Sequence, residues 1–123
     1  VTNFIYQALK NENITVYGDG TQTRSFCFVT DTVEGIIKAL DSNSGEVFNI
    51  GNPQEITVNQ LAETIIKLTN SSSKIEFKEL PIDDPLKRKP DITKARELLD
   101  WQPNVGLEEG LLETINWVNS QIN

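Results

Sequence analysis

The sequence contains no histidine, a single cysteine (Cys27) and only three arginines, Arg24, Arg88 and Arg96. Without histidine, neither a His-based catalytic triad nor a His-ligated metal centre can be assembled. The carboxylates form no tight D-x-D-x-D array, so no metal is expected. One cysteine permits no internal disulfide and fits a reducing compartment, which points to the cytoplasm. No apolar run approaches the roughly 18 residues that a membrane span needs, and no basic-then-apolar signal layout is present. Positive charge is scarce as well: 11 Lys and Arg stand against 18 Asp and Glu, a net charge of −7. A field of that sign argues against nucleic acid and anionic membranes as partners.

What remains is an ordinary globular composition, 37% apolar and 24% charged over 123 residues. That length predicts one domain, residues 1–123, burying about two-thirds of its unfolded surface. The spacing of Val1, Phe4, Ile5, Ala8 and Leu9 predicts a helix to about Lys10. Strands are expected at Ile14 to Tyr17 and Arg24 to Val29, separated by the turn Gly18-Asp19-Gly20. Thr30 or Asp31 is placed to cap a helix whose core face carries Val33, Ile36, Ile37 and Leu40. Val47 to Ile50 reads as a strand, and Thr57 caps a further helix with Leu61, Ile65, Ile66 and Leu68 inward. Lys74 to Leu80 alternates as a strand, with Ile75 and Phe77 inward and Lys74, Glu76 and Lys78 outward. After an irregular stretch containing Pro81, Pro85 and Pro90, helices are expected from Asp91 or Thr93 to Leu99 and from Leu107 to Val118. Helices that interleave with short strands define an α/β class, here a small mixed α/β unit.

Tyr6 and Lys10 have the Tyr-x-x-x-Lys spacing that would let an ammonium lower a phenol pKa, but any amphipathic helix produces it, and a solvated face is the simpler account. Gly18-Asp19-Gly20 begins like a dinucleotide fingerprint. Thr23 stands at the third glycine place, and a strand follows where a helix is required, so a hairpin turn is expected. Arg24 follows that turn directly, and Arg88 sits in the charged, proline-bounded loop Asp83 to Asp91. A guanidinium forks onto phosphate or carboxylate as lysine cannot. Both arginines are therefore candidates for one specific anion, the alternative being pairing with nearby Asp and Glu.

Several strings together resemble the second half of the extended short-chain dehydrogenases, the NAD-dependent epimerase/dehydratase family. They are Gly18 to Phe26 with Val29 and Asp31, Asn49-Ile50-Gly51-Asn52-Pro53, Asp83-Asp84-Pro85 with Arg88-Lys89-Pro90-Asp91-Ile92, and Lys94-Ala95 through Leu99-Asp100-Trp101-Gln102-Pro103 to Leu107-Glu108-Glu109-Gly110-Leu111. The resemblance covers nearly the whole chain and is nearest the UDP-glucuronate decarboxylase branch. The 4,6-dehydratase and 4-epimerase branches share the Tyr-Gly-x-Gly and Arg-aromatic parts but fit the Asp-Asp-Pro and Arg-Lys-Pro-Asp strings less well.

The resemblance implies the C-terminal, substrate-binding portion of a Rossmann-type enzyme. In that role Asn3 and Phe4 line the nucleotide diphosphate and Tyr17 packs on the uracil. Arg24 and Arg88 clamp the diphosphate, with Arg88 also an auxiliary catalytic candidate facing the departing carboxylate. In the family, NAD oxidises the sugar C4 hydroxyl to a ketone beta to the carboxylate, that ketone accepts the electrons released as carbon dioxide leaves, and the hydride returns. The Gly-rich NAD loop and the catalytic Tyr-x-x-x-Lys pair are not found in these residues. The expectation is therefore a fragment with no cofactor-binding residue of its own. NAD would be held by a missing N-terminal half, and the full-length enzyme would be a homodimer acting on a UDP-sugar. The rival is a stand-alone, non-catalytic nucleotide-sugar-binding module.

Overall fold

The computed structural model describes residues 1–79 and 85–122. Helix α1 (Thr2–Leu9) buries Ile5 and Ala8 and leads to strand β1 (Ile14–Tyr17). Strand β2 (Thr23–Ser25) and helix α2 (Val29–Asp41) follow, then β3 (Glu55–Thr57), α3 (Val58–Thr69), β4 (Ile75–Lys78), α4 (Thr93–Leu99) and α5 (Leu107–Ile122). Strand β1 pairs in parallel with β4, from Ile14 opposite Ile75 to Tyr17 opposite Lys78. Strand β2 pairs antiparallel with β3, from Thr23 opposite Thr57 to Ser25 opposite Glu55.

The main core joins α1, β1, α3 and α5 through Ile5, Ile14, Val16, Leu61, Ile65 and Val118. Thr57 starts α3 as expected. Its hydroxyl accepts from the Gln60 N–H at 3.1 Å while the Gln60 carboxamide accepts from the Thr57 N–H at 3.0 Å, so two orphan donors of the first turn are satisfied reciprocally. A second core gathers Ile92, Ala95, Leu99 and Trp101, with Cys27, Ala39, Phe48 and Ile50 packed against it.

Four expectations are corrected. Strand β2 stops at Ser25, and α2 begins at Val29 with Phe28 as its N-cap and no side-chain cap bond. Asp31 is instead buried, and its Oδ2 accepts from the N–H groups of Asn104 (3.0 Å) and Val105 (2.9 Å). Val47 to Ile50 joins no sheet among the described residues. Phe48 and Ile50 pack against the second core, while Val47 is 83% exposed, so the apolar alternation is real but has no ladder partner among the described residues. Phe77 is 55% exposed although it lies opposite the buried Val16, because β4 is the outer strand of a two-stranded sheet and the described core covers that face over β1 more fully than over β4.

The fourth concerns α2. The side turned to Trp101 carries Asp31, Gly35 and Ala39, and a Cβ at Gly35 would come within 2.7 Å of Ile50 and 3.0 Å of Trp101. The apolar stripe of Val33, Ile36, Ile37 and Leu40 therefore points away, with each residue between 47% and 74% exposed. A contiguous apolar stripe left in water marks an interaction surface. The isolated chain is accordingly expected to self-associate in sedimentation velocity, and paired charges at Ile37 and Leu40 should suppress it. A monodisperse monomer at all concentrations would contradict this.

Candidate nucleotide-binding site

A cavity of about 860 Å³ opens between α1, β1, β2 and the end of β4. The alternation of β1 sends Ile14 and Val16 into the core, so Thr15 and Tyr17 face the cavity. Helix α1 contributes Asn3, Phe4 and Gln7. The Gln7 carboxamide ties the helix to the strand: its Nε2 donates to Thr15 Oγ1 and its Oε1 accepts from the Thr15 N–H, both at 3.1 Å. Gln22, 5% exposed, donates from Nε2 to the Tyr17 carbonyl at 2.6 Å and so closes the β1–β2 turn behind the Tyr17 ring. Arg24 lines the cavity, with Nη1 donating to the Thr23 carbonyl at 2.7 Å and to the Pro85 carbonyl at 2.9 Å.

Four of the expected residues, Asn3, Phe4, Tyr17 and Arg24, thus converge on one cavity. Arg88 does not line it. Its side chain is exposed, on a loop that runs along β2: the Thr23 N–H donates to the Leu86 carbonyl at 2.9 Å and Ser25 Oγ to the Arg88 carbonyl at 3.0 Å. Asp83 and Asp84 lie outside the described residues. Asp91 does not neutralise Arg88. Its Oδ1 accepts from the Thr93 hydroxyl at 2.7 Å and the Thr93 N–H at 2.9 Å, and these bonds, the hydroxyl first, hold its carboxyl below the usual carboxylate range.

The turn that opens β2 is stiffened in the same way. Asp19 accepts from the Thr21 hydroxyl at 2.6 Å and the Thr21 N–H at 2.9 Å, and the hydroxyl bond is the main reason that its carboxyl is held low. Lys78, Gln7 and Gln22 were not singled out as site residues. Lys78 reads as a solvent-facing strand residue until the β1–β4 register is known. The two glutamines carry no sequence signal beyond their place inside longer motifs.

Among the described residues that line the cavity, the charged side chains are those of Arg24 and Lys78. In a chain of net charge −7 that asymmetry favours an anionic ligand. The residues present do not fit a dinucleotide. Gly20 has φ 75°, but a Cβ there would fall on the Asn59 side chain, which fills the hollow that a pyrophosphate would need. Strand β2, not a helix N-terminus, follows the turn. Among the described residues no cluster could hold a metal ion, and no helix is long and apolar enough to cross a membrane.

A family model described as GDP-mannose 4,6 dehydratase matches residues 1–114. The chain belongs to this family. The match agrees with the resemblance of the chain's motifs to the extended short-chain dehydrogenases. UDP-glucuronic acid decarboxylase 3 of Arabidopsis thaliana is 53% identical over 111 residues, which is 90% of this chain and 32% of that protein. UDP-glucuronic acid decarboxylase 1 of Xenopus tropicalis is 48% identical over 122 residues, 99% of this chain and 29% of that protein. The chain thus spans about a third of the length of these curated relatives.

Solved structures agree on the fold. UDP-glucose 4-epimerase of Thermotoga maritima, with UDP-glucose, superposes with a TM-score of 0.93 at 34% identity, over 98% of this chain and 39% of that one. UDP-glucuronic acid 4-epimerase of Bacillus cereus, in complex with UDP-glucuronic acid and NAD, gives 0.91 at 30% identity, over 97% and 39%. The α/β architecture of this family member is therefore the Rossmann-type epimerase/dehydratase architecture over the part that the chain covers.

Proposed function

We propose that this chain is the nucleotide-sugar-binding part of an NAD-dependent UDP-glucuronate decarboxylase, a lyase that converts UDP-glucuronate to UDP-xylose and carbon dioxide. The observation that carries the reading is the cavity itself: an aromatic wall of Phe4, Tyr6 and Tyr17 beside the cationic side chains of Arg24 and Lys78. The identity of about half its residues with decarboxylases from plant and animal supports this particular chemistry.

In this reading Tyr17 offers a flat ring to the base, which gives apolar contact at little cost in rotamer entropy. Asn3 and Phe4 line the nucleotide from α1. Arg24, on a rigid strand, and Arg88, on the loop hung along that strand, hold the diphosphate, with Arg88 an auxiliary group toward the substrate carboxylate. NAD, which carries the redox step, sits on segments beyond these residues. A cytoplasmic homodimer is the corresponding assembly, and the lone Cys27 supports the compartment.

The full-length protein, given UDP-glucuronate, should release carbon dioxide and UDP-xylose, whereas the purified 123-residue chain should neither retain NAD nor turn substrate over. NAD copurifying with the isolated chain would overturn the assignment of the cofactor to other segments. Formation of the C4 epimer without loss of carbon dioxide would move the protein to the epimerase branch, to which the two structural neighbours belong by name.

A further inference from the structure

Lys78 is in register with Tyr17 across the parallel β1–β4 pair, and the Gly18 N–H donates to the Lys78 carbonyl at 2.7 Å, which extends the pairing beyond the strand end. Residues in register on neighbouring parallel strands project from the same face of the sheet. Here that face carries Thr15 and Tyr17 and forms one wall of the cavity, and Lys78 lines the same cavity. Its ammonium forms no ion pair among the described residues, although the chain carries 18 acidic side chains. Glu76, in register with Thr15 on that same face, and Glu79, the next residue along, are not among the residues that line the cavity. An exposed cation at the rim of such a cavity acts on an approaching anion over a distance of about a Debye length, without a fixed contact.

We propose that Lys78 is a second cationic binding residue, which draws the diphosphate of a nucleoside diphosphate into the cavity beside Tyr17. The inference rests on the nucleotide reading of the cavity. It adds a group outside the strings by which the chain resembles its family, at a position where a strand's polar face would otherwise be merely solvated. A lysine suits this role, because a flexible, hydrated point charge attracts without demanding geometry, and Arg24 supplies the oriented fork.

The test is calorimetric titration of the full-length protein with UDP and with uridine, at low and at high salt, for the wild type and for Lys78→Gln, Lys78→Arg and Lys74→Gln. Lys78→Gln should weaken UDP binding about three- to tenfold at low salt, with the difference shrinking as salt rises. Uridine, which has no phosphate, should bind both proteins alike. Lys78→Arg should stay near the wild type, and Lys74→Gln, outside the cavity lining, should change nothing.

Unchanged UDP affinity in Lys78→Gln overturns the proposal. So does an equal loss for UDP and uridine, which would make Lys78 a support of the base pocket. An equal effect from Lys74→Gln would reduce it to a general charge effect and overturn it too. If the wild type binds no UDP, the nucleotide reading of the cavity fails, and this inference falls with it.

Discussion

Arg88→Ala in the full-length protein is expected to weaken UDP-sugar binding roughly 10- to 150-fold, the loss of charge-assisted hydrogen bonds worth about 1.5–3 kcal/mol. From Pro85 to Pro90 the backbone that carries Arg88 is tied to the body of the fold. Pro85 and Pro90 bound it, and three bonds hang it on β2: Arg24 to the Pro85 carbonyl, Thr23 to the Leu86 carbonyl and Ser25 to the Arg88 carbonyl. The backbone is thus held while the guanidinium remains exposed, with no ion pair among the described residues. Little entropy is left to lose when it closes on an anion.

Arg88→Lys should recover little, because an ammonium cannot make the paired contact. NAD affinity should stay the same, since the cofactor lies elsewhere. If Arg88 is only a solvated cation, the change costs at most about 1 kcal/mol of stability and leaves the UDP titration curve where it was. That outcome would remove Arg88 from the site.

Trp101→Ala is the substitution expected to damage the fold most. The indole is 1% exposed, lies against Gly35 of α2 and donates from Nε1 to the Asp31 carbonyl at 3.0 Å. Its removal opens a cavity and strips a buried carbonyl of its donor, at a cost of about 3–5 kcal/mol for the truncation. Against a typical total of about 5–15 kcal/mol, much of the population should unfold near body temperature. Trp101→Phe keeps most of the ring volume and loses the N–H, so its cost should lie nearer about 1–3 kcal/mol. Urea unfolding followed by far-ultraviolet circular dichroism checks both. Equal midpoints for the alanine variant and the wild type would mean that the second core does not depend on this ring. The effect extends beyond Trp101, because Asp31 also anchors the Asn104 and Val105 amides and so sets where α5 begins.

The sequence by itself determined the helices, the family and four residues of the cavity wall. α1, α3, α4 and α5 were legible because apolar spacing and the Thr57–Gln60 box act within a few residues. β1 and a turn at Gly18-Asp19-Gly20 were legible for the same local reason, but the expected hairpin does not form: β1 pairs with β4 and β2 with β3, so the turn joins two separate sheets. Tyr17 and Arg24 came from motif strings and Asn3 and Phe4 from what the family resemblance implies, and the fold brings all four to one cavity.

Only the tertiary structure decided the rest. Strand β3 is short and has no apolar alternation of its own, and it exists because β2 supplies its hydrogen bonds. Val47 to Ile50 has the alternation and lacks the partner. Lys78 became a cavity residue through its register with Tyr17, a pairing between positions about 60 residues apart that no local pattern encodes. The stripe on α2 shows the limit most plainly. Periodicity identifies an apolar face, but whether that face meets this chain's own core or another surface depends on what Gly35 and Trp101 permit on the opposite side. Close packing of a glycine against an indole drew α2 in by its small face and left Val33, Ile36, Ile37 and Leu40 turned outward.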